Sequence, residues 1–438
     1  MQSSRAKNVI RFMIPTMLSN VCFFLFTIVD GIFVGNGVGT NGLGAVNIAM
    51  PFTMVTGALF MMINIGSATM VAVRMGRNDT EGANKVFRNG MILLAVVAAI
   101  LCGLGVFCTD TICRLLGANE TFHEMAADYL FWYSVFIIPS GLSMGLQAYC
   151  RNDNAPGLVG MTVIVSTALN IFGDWLLIFP IPLGTAGAAI ATGISQTVGL
   201  LIVLTHFIRK KGILCFGKTE IDGTLWKEIA VHGLPEGIGQ LATPIMTLCM
   251  NLVLVSKIGD IGVNAFSVIS YVASFSVAVF FGTSEGLQPL FGQSYGAKNE
   301  ADMKFYFKVG IWINFLGSIL VSGLILLLSR QICMLFGADA ETLEYTLQAM
   351  PKFAWGFVMM AFNVMISAYL YSTERSAYAT VLNFLRSIVV SVLVIMLLPE
   401  IFGADIVWFT FGIYEAVVLV FAVLLLKHSE RQGIVFKE

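Results

Sequence analysis

Residues 89–108 read NGMILLAVVAAILCGLGVFC, a run of consecutive positions without a charged side chain. A helix needs about 20 mostly apolar residues to cross a hydrocarbon core roughly 30 Å thick. Comparable stretches recur along the chain, near residues 8–34, 43–73, 89–108, 125–150, 157–180, 186–208, 229–256, 262–295, 305–328, 343–372, 377–398 and 404–426. We therefore predict an all-α polytopic membrane protein with twelve transmembrane helices.

The composition agrees with this prediction. The chain is 57% hydrophobic and 12% charged, with a mean hydropathy of +0.84, whereas soluble domains average about 45–50% apolar and about 25% charged residues. A very apolar soluble core would still need helices with a polar face, and most of these stretches have none. The first stretch runs past signal-peptide length without an A-x-A motif, so no cleavable signal is predicted.

The reactive side chains give no sign of an enzyme. The eight cysteines and four histidines are scattered along the chain without the spacing of metal ligands,. Cysteines in apolar helices usually act as small apolar residues. There is also no nucleophile–base pair and no phosphate-binding loop. We expect no enzymatic activity, no cofactor, no resident metal and no nucleic-acid partner.

The basic residues indicate the orientation in the membrane. With twelve spans, most of the 25 Lys and Arg lie on the side that also carries both termini. The opposite side has Arg114, Lys257 and Arg330, and Lys352 and Arg386 fall inside spans. Short cytoplasmic connections carry the excess of Lys and Arg. The sequence thus predicts a multi-pass protein of the plasma membrane with both termini in the cytoplasm.

The chain contains an internal repeat, because residues 15–149 match 235–369 at a constant offset of 220 without a gap. The informative matches are Pro15 with Pro235, Gly39 with Gly259, Gly42 with Gly262, Gly66 with Gly286, Gly76 with Gly296, and Cys113-x-Leu115-x-Gly117-Ala118 with Cys333-x-Leu335-x-Gly337-Ala338. An even number of spans per half makes the repeat parallel. We predict two pseudo-symmetric six-helix bundles, residues 1–208 and 229–438, joined by a cytoplasmic linker at 209–228.

Two paired bundles suit alternating access around a central site. A voltage sensor would need an Arg-rich helix, and a potassium channel would need a TVGYG-like filter. The spans contain neither. The repeat therefore favours a transporter over a channel.

Acidic residues inside spans are costly and mark functional sites by default. Asp30 lies deep in the first span, and Asp174 lies in the fifth, four residues after Asn170, so that Asn170 and Asp174 share a helix face,. Thr192 follows a run of small residues in the sixth span that allows close helix packing,. A site formed by these four residues would bind a proton or a sodium ion. The alternative is that each acid is tied to a helix end or a serine.

The second half differs at the equivalent positions. Met250 replaces Asp30, while Glu285 stands where the first half has Ile65. Cation coupling is therefore expected in the first half. Glu285 precedes Gly286 and is predicted to line a cavity for cationic substrates. The 22 Met and 34 Phe suit an adaptable apolar cavity, although most of them are expected to face lipid or to pack,.

The other charged residues within spans have structural interpretations. Glu236 and Lys352 lie near predicted span ends, from which they could snorkel to the interface,. Arg386 is expected to bond a neighbouring helix or carbonyl. Glu415 could face a partner helix, and we assign it no function.

Several motifs, taken together and in order, resemble the multidrug and toxic compound extrusion family, nearest its MepA-like branch. The resemblance covers essentially the whole chain. It rests on Val29-Asp30-Gly-Ile-Phe-Val34-Gly35 with Gly42-Leu-Gly-Ala45, on Met75-Gly76, on Gln288-Pro289-Leu-Phe-Gly-Gln-Ser-Tyr295-Gly296-Ala297, on Leu169-Asn170-Ile-Phe-Gly-Asp174, and on Gly184-x-x-Gly187-x-Ala189-x-Ala191-Thr192.

The resemblance implies cation-coupled antiport of drugs, dyes and metabolites from a central cavity. It also implies that Asp30, Asn170, Asp174 and Thr192 form the cation site. Some relatives carry a further acid in the middle of spans 7 and 10. Here those spans show Thr243, Asn251 and Asn363, which favours protons over sodium as the coupling ion.

The main alternative is a flippase for lipid-linked saccharides or peptidoglycan precursors. Such a cavity should be strongly cationic to hold pyrophosphate, whereas the spans offer mainly Lys352 and Arg386. A non-transporting receptor or scaffold would leave the buried acids unexplained. The function that we predict is a multidrug efflux antiporter for small, mostly apolar cations, active as a monomer.

Overall fold

The computed structural model of the protein describes residues 2–118, 120–335 and 340–431. These residues form helices and short connections, without a β-strand among them, which confirms the all-α prediction. Eleven of the described helices are long and apolar enough to cross a membrane, and the bent pair Phe122–Val135 and Ile137–Asn152 supplies a twelfth span. Gly337 and Ala338 of the repeated run lie outside the described residues.

The chain packs into two compact units, of which the N unit is Leu18–Gly233. Its helices are the later part of α1 (Gln2–Gly37), α2 (Thr40–Gly76), α3 (Thr80–Phe107), α4 (Thr109–Leu115), α5 (Glu120–Val135), α6 (Ile137–Asn152), α7 (Pro156–Ile178), α8 (Gly184–Ile208) and the first part of α9 (Gly223–Gly239). Within this unit, α8 packs against α5, α6 and α7. Helices α7 and α8, which carry Asn170, Asp174 and Thr192 of the predicted site, are thus packed against each other.

The C unit is Met1–Met17 together with Leu234–Glu438. It contains the remaining parts of α1 and α9, and then α10 (Ala242–Lys257), α11 (Asp260–Gly296), α12 (Glu300–Leu335), α13 (Ala340–Ala354), α14 (Gly356–Ser372), α15 (Ser376–Phe384), α16 (Val390–Phe402) and α17 (Val407–Arg431). A π-helical turn, Leu385–Val389, separates α15 from α16, and a 3₁₀ turn, Ala404–Ile406, precedes α17.

The limits of the two units fall inside α1 and α9. The predicted limits, residues 1–208 and 229–438, follow the halves of the repeat instead. Compact packing units and repeat halves are different divisions of one chain. The predicted domain boundaries therefore stay a prediction.

The backbone geometry repeats at the same interval as the sequence. Left-handed backbone angles are uncommon for residues other than glycine. They recur in pairs 220 positions apart, at Gly39 (φ 90°) and Gly259 (88°), Asn78 (59°) and Lys298 (56°), and Asn154 (61°) and Glu374 (57°). The two halves thus share their tight turns as well as their sequence pattern.

Prolines account for two of the breaks within spans. A proline inside a helix has no N–H and clashes with the carbonyl four residues earlier. Pro139 lies four residues after Val135, where α5 ends, and α6 departs from it at 50°. Pro244 likewise lies four residues after Gln240, in the break between α9 and α10. Both breaks follow from local sequence.

The connection between α8 and α9, residues 209–222, is held against α3. The side-chain oxygen of Asn84 accepts a hydrogen bond from the backbone N–H of Cys215 at 2.8 Å. The Lys85 ammonium donates to the Asp222 carboxylate, also at 2.8 Å. That hydrogen bond, with further backbone donors, holds the pKa of Asp222 below its usual value. The predicted linker is therefore partly a fixed element of the N unit.

Candidate cation-binding site

Helix α7 carries its polar side chains on its buried face. Asp174 is 0% exposed and Asn170 is 2% exposed, whereas Phe172 and Trp175 are 56% and 48% exposed. A helix at a water surface shows the reverse pattern. This arrangement is that of a membrane span whose apolar face meets lipid, and it turns Asn170 and Asp174 into the N unit.

Small residues bring α8 close to α7. A Cβ atom added to Gly173 would lie 3.0 Å from the Cβ of Ala191, so the two helices touch where a larger residue would separate them. Thr192 follows Ala191, and its hydroxyl oxygen accepts a hydrogen bond from the Asn170 side-chain nitrogen at 3.1 Å. The structure thus places Asn170 and Thr192 in direct contact.

Asp30 lies on the part of α1 that belongs to the N unit. Its side chain lies near enough to the Asp174 carboxyl group and to the Tyr129 hydroxyl of α5 for their charges to interact. Sequence reasoning missed Tyr129, since a tyrosine in an apolar span usually packs, and no motif distinguished it.

Four buried oxygens at this place lack a hydrogen-bond donor among the described residues. They are Asp30 Oδ1, Asn170 Oδ1 and both carboxylate oxygens of Asp174. Buried polar atoms are nearly always paired, and an isolated buried carboxylate is especially costly. A proton or a hard cation, which prefers oxygen ligands, would satisfy these atoms. The described residues contain no cluster of three or more His, Cys, Asp or Glu that could hold a metal.

A separate acidic pocket lies within the C unit. Its free volume is about 10 Å³, room for about one water molecule, and its walls include Glu236, Glu285 and Arg386,. Glu285 is 9% exposed, as expected of a residue that lines a cavity. Glu236 is 4% exposed and accepts a hydrogen bond from the Gln240 amide at 2.9 Å.

The prediction that Glu236 snorkels from a span end is wrong. Helix α9 begins at Gly223, earlier than the apolar pattern suggests, so that Glu236 lies more than three turns inside the helix. There it faces the pocket instead of the interface. The acid that the sequence analysis placed near the end of span 7 is therefore a buried carboxylate.

The expectation that Arg386 bonds a neighbouring helix is confirmed. Its Nε and Nη2 atoms each lie 2.9 Å from Glu415 Oε1, and the Asn363 amide donates to Glu415 Oε2 at 2.7 Å. Arg386 is 6% exposed and Glu415 is 0% exposed. Arg386 lies in the π-helical turn, and such turns are frequent at functional positions.

Acids without donors inside one packed unit, and an acidic pocket inside the other, define a class of protein. Buried acids within apolar spans mark ion and substrate sites, and transporters bind ions and substrates within their spans. The fold and these sites are those of a membrane transporter.

The chain belongs to the MatE family, whose model matches residues 15–176 and again residues 235–397. The two matches begin 220 residues apart, at the interval of the internal repeat. The predicted family is thereby confirmed, and the protein is a transporter rather than an enzyme.

Similar proteins and structures agree with this family. The multidrug export protein MepA of Staphylococcus saprophyticus is 24% identical over 418 residues, which cover 93% of this chain and 90% of the relative. The probable multidrug resistance protein YoeA of Bacillus subtilis is 26% identical over 385 residues, 85% of this chain and 82% of the relative. A multidrug resistance MATE family transporter in its outward-facing conformation has a TM-score of 0.92 at 22% identity, covering 97% and 96% of the two chains.

Proposed function

We propose that the protein exports small, mostly apolar cationic compounds in exchange for a cation, with the proton as the coupling ion. The observation that carries this proposal is the set of four buried oxygens without donors on Asp30, Asn170 and Asp174. A proton needs one carboxylate, whereas hard metal cations usually take about six oxygen ligands. The relatives named for multidrug export support the same class of substrate.

The exchange follows from the cost of burying charge. When a cation binds from outside, it neutralises one charge of the Asp30–Asp174 pair, and the N unit can repack around α1 with less uncompensated buried charge. Because α1 runs through both units, such repacking would change the access to a substrate held elsewhere. Moving one charge across the membrane supplies about 2.3 kcal/mol per 100 mV. In this scheme the two units alternate between outward and inward access.

Imposed ion gradients test the coupling. The purified full-length protein is reconstituted in liposomes, and ethidium flux is measured under a proton gradient or a sodium gradient, applied separately. We expect the proton gradient to raise the flux about tenfold, equivalent to ~1.4 kcal/mol, and a protonophore to remove the effect. Response to neither gradient would refute antiport, and response to sodium alone would refute the choice of ion.

Substrate is proposed to bind at the acidic pocket of the C unit. Glu236 and Glu285 face this pocket together, and two carboxylates in one buried cavity attract an organic cation. Arg386 contributes little free positive charge there, since Glu415 accepts from it at close range. The same pairing weakens the flippase alternative, which needs an exposed cationic surface for pyrophosphate.

Neutralising Glu285 should weaken ethidium binding without blocking transport. For Glu285→Gln we expect the KM for ethidium to rise about tenfold, ~1.4 kcal/mol, while the maximal rate stays near that of the wild type. Glu341→Gln, at an exposed position on α13, is the matched control. An unchanged KM in Glu285→Gln would remove this residue from the substrate site.

The remaining parts of the proposal concern placement. Both termini are proposed to lie in the cytoplasm, as the distribution of Lys and Arg indicates, with the protein in the plasma membrane. The residues of the proposed cation site and of the pocket all belong to one chain, so we propose that a monomer is sufficient for transport.

A further inference from the structure

The polar face of α7 extends well beyond the two residues of the cation site. Thr162, Ser166, Asn170 and Asp174 follow one another at intervals of four residues. All are buried, with exposures of 0%, 7%, 2% and 0%. Side chains four residues apart lie above one another on one side of a helix. The result is a continuous buried polar stripe that leads from Asp174 towards the Pro156 end of α7.

Ser166 differs from the other hydroxyl groups near it. Thr162 donates to the carbonyl of Leu158 at 2.8 Å, and Thr197 donates to the carbonyl of Gly193 at 2.7 Å. Such bonds to the preceding turn are how hydroxyl groups inside helices are usually satisfied. The Ser166 hydroxyl has no hydrogen-bond partner among the described residues, although it is more than nine-tenths buried. The usual hydrogen bond to the preceding turn therefore does not satisfy the Ser166 hydroxyl.

Helices α6 and α8 meet the stripe at Ser166. A Cβ atom built on Gly199 of α8 would lie 2.7 Å from the Ser166 hydroxyl oxygen and 3.2 Å from that of Ser143 on α6. The absence of a side chain at Gly199 leaves both hydroxyls beside the α8 backbone. Gln147, one turn further along α6, donates to Ser143 at 3.2 Å. Polar groups thus continue from α7 onto α6.

The position of the cation site explains why such groups would be needed. Asp174 lies four residues from Ile178, about 6 Å from that end of α7 at 1.5 Å per residue,. The distance from Asp174 to Pro156 is about 27 Å on the same scale. The site therefore lies much closer to the Ile178 end of α7 than to the Pro156 end. From the Pro156 end, an ion has to cross most of the N unit.

We propose that Ser166, Ser143 and Gln147, with Gly199, line a hydrated route by which the coupling ion passes between the cation site and the Pro156 end of α7. This inference rests on the proposed coupling at Asp30 and Asp174. Buried waters bind where two to four polar partners are available, and the free Ser166 hydroxyl supplies such a partner midway. The charged groups at the ends of the route are Asp174 and the buried Asp153–His206 pair, whose Oδ2 and Nε2 atoms are 2.9 Å apart.

Water access to Ser166 tests the route directly. Ser166→Cys is made in a full-length chain whose eight native cysteines are replaced by serine. Silver ions, added to one membrane face at a time, bind the sulfur of a hydrated thiol, and the thiol proton is released to water. Remaining thiols are then labelled with a fluorescent maleimide after denaturation. We expect silver to block Ser166→Cys about tenfold faster from the face of the Arg151–Pro156 connection than it blocks the control Thr167→Cys, which lies off the stripe.

Equal blocking of the two cysteines, or faster blocking of Ser166→Cys from the opposite face, would overturn the route. This labelling does not depend on transport, so it can fail while gradient-driven flux succeeds. In a second arm, Ser166→Leu is expected to slow gradient-driven ethidium flux about tenfold and to leave ethidium–ethidium exchange unchanged. Wild-type flux in both assays would also overturn the route. Failure of both the proton gradient and the sodium gradient to drive the wild-type protein would instead refute the coupling itself.

Discussion

Asp174→Asn is expected to abolish gradient-driven export, lowering the ethidium flux by at least about 100-fold, or ~2.7 kcal/mol. Asp30→Asn should have the same effect. Asparagine has nearly the shape of aspartate but can neither carry the charge nor exchange a proton. The fully buried Asp174 would then be held permanently in its neutral form. Flux in liposomes under a proton gradient measures the loss.

Folding and coupling can be separated for these variants. Because the exchange is nearly isosteric and removes an uncompensated buried charge, both proteins should elute as monodisperse peaks with undiminished thermal stability. Asp110→Asn, at an exposed side chain of α4, is the matched control and should transport normally. Gradient-driven flux at the wild-type rate in both Asp30→Asn and Asp174→Asn would remove the proposed cation site.

The second large effect is expected on stability, at the Arg386–Glu415 pair. Arg386→Met would leave Glu415, which is 0% exposed, as a buried carboxylate without its cation, although the Asn363 amide still donates to it. Removing one partner of a buried ion pair typically costs about 3–5 kcal/mol. We therefore expect a large fall in the unfolding temperature of the full chain in detergent, measured by the change in intrinsic fluorescence on heating.

Removing both charges should restore much of that stability. In Arg386→Met with Glu415→Gln, no buried charge is left alone, and replacing a whole buried pair is often close to neutral. Lys352→Met is the control, because the Lys352 ammonium lies 5.9 Å from the centre of the Phe409 ring without a salt-bridge partner in the described chain. It should change stability by about 1 kcal/mol or less. If the double variant unfolds at as low a temperature as Arg386→Met, the loss of stability does not come from leaving Glu415 without its ion-pair partner.

Much of the architecture could be predicted from local sequence. The number of spans can be read from the number of long apolar stretches, because every helix must cross the same thickness of lipid. The repeat was visible because turns at Gly39 and Gly259 need glycine in a left-handed conformation,. Asn170 and Asp174 could be placed on one face from their spacing alone. The contact between Asn170 and Thr192 was anticipated from the motifs and the small residues around them.

Burial and pairing were decided by the tertiary structure. Glu236 belongs to a buried pocket because α9 begins earlier than its hydropathy indicates, and hydropathy cannot show where a polar helix end is covered by other helices. Arg386 and Glu415 are 29 positions apart, and spacing within one helix says nothing about such a pair. The sequence by itself determined the number of spans, the repeat and the acids on each helix. Which acids remain without a partner depends on the helices packed around them, because a donor from any neighbouring helix can satisfy a buried charge.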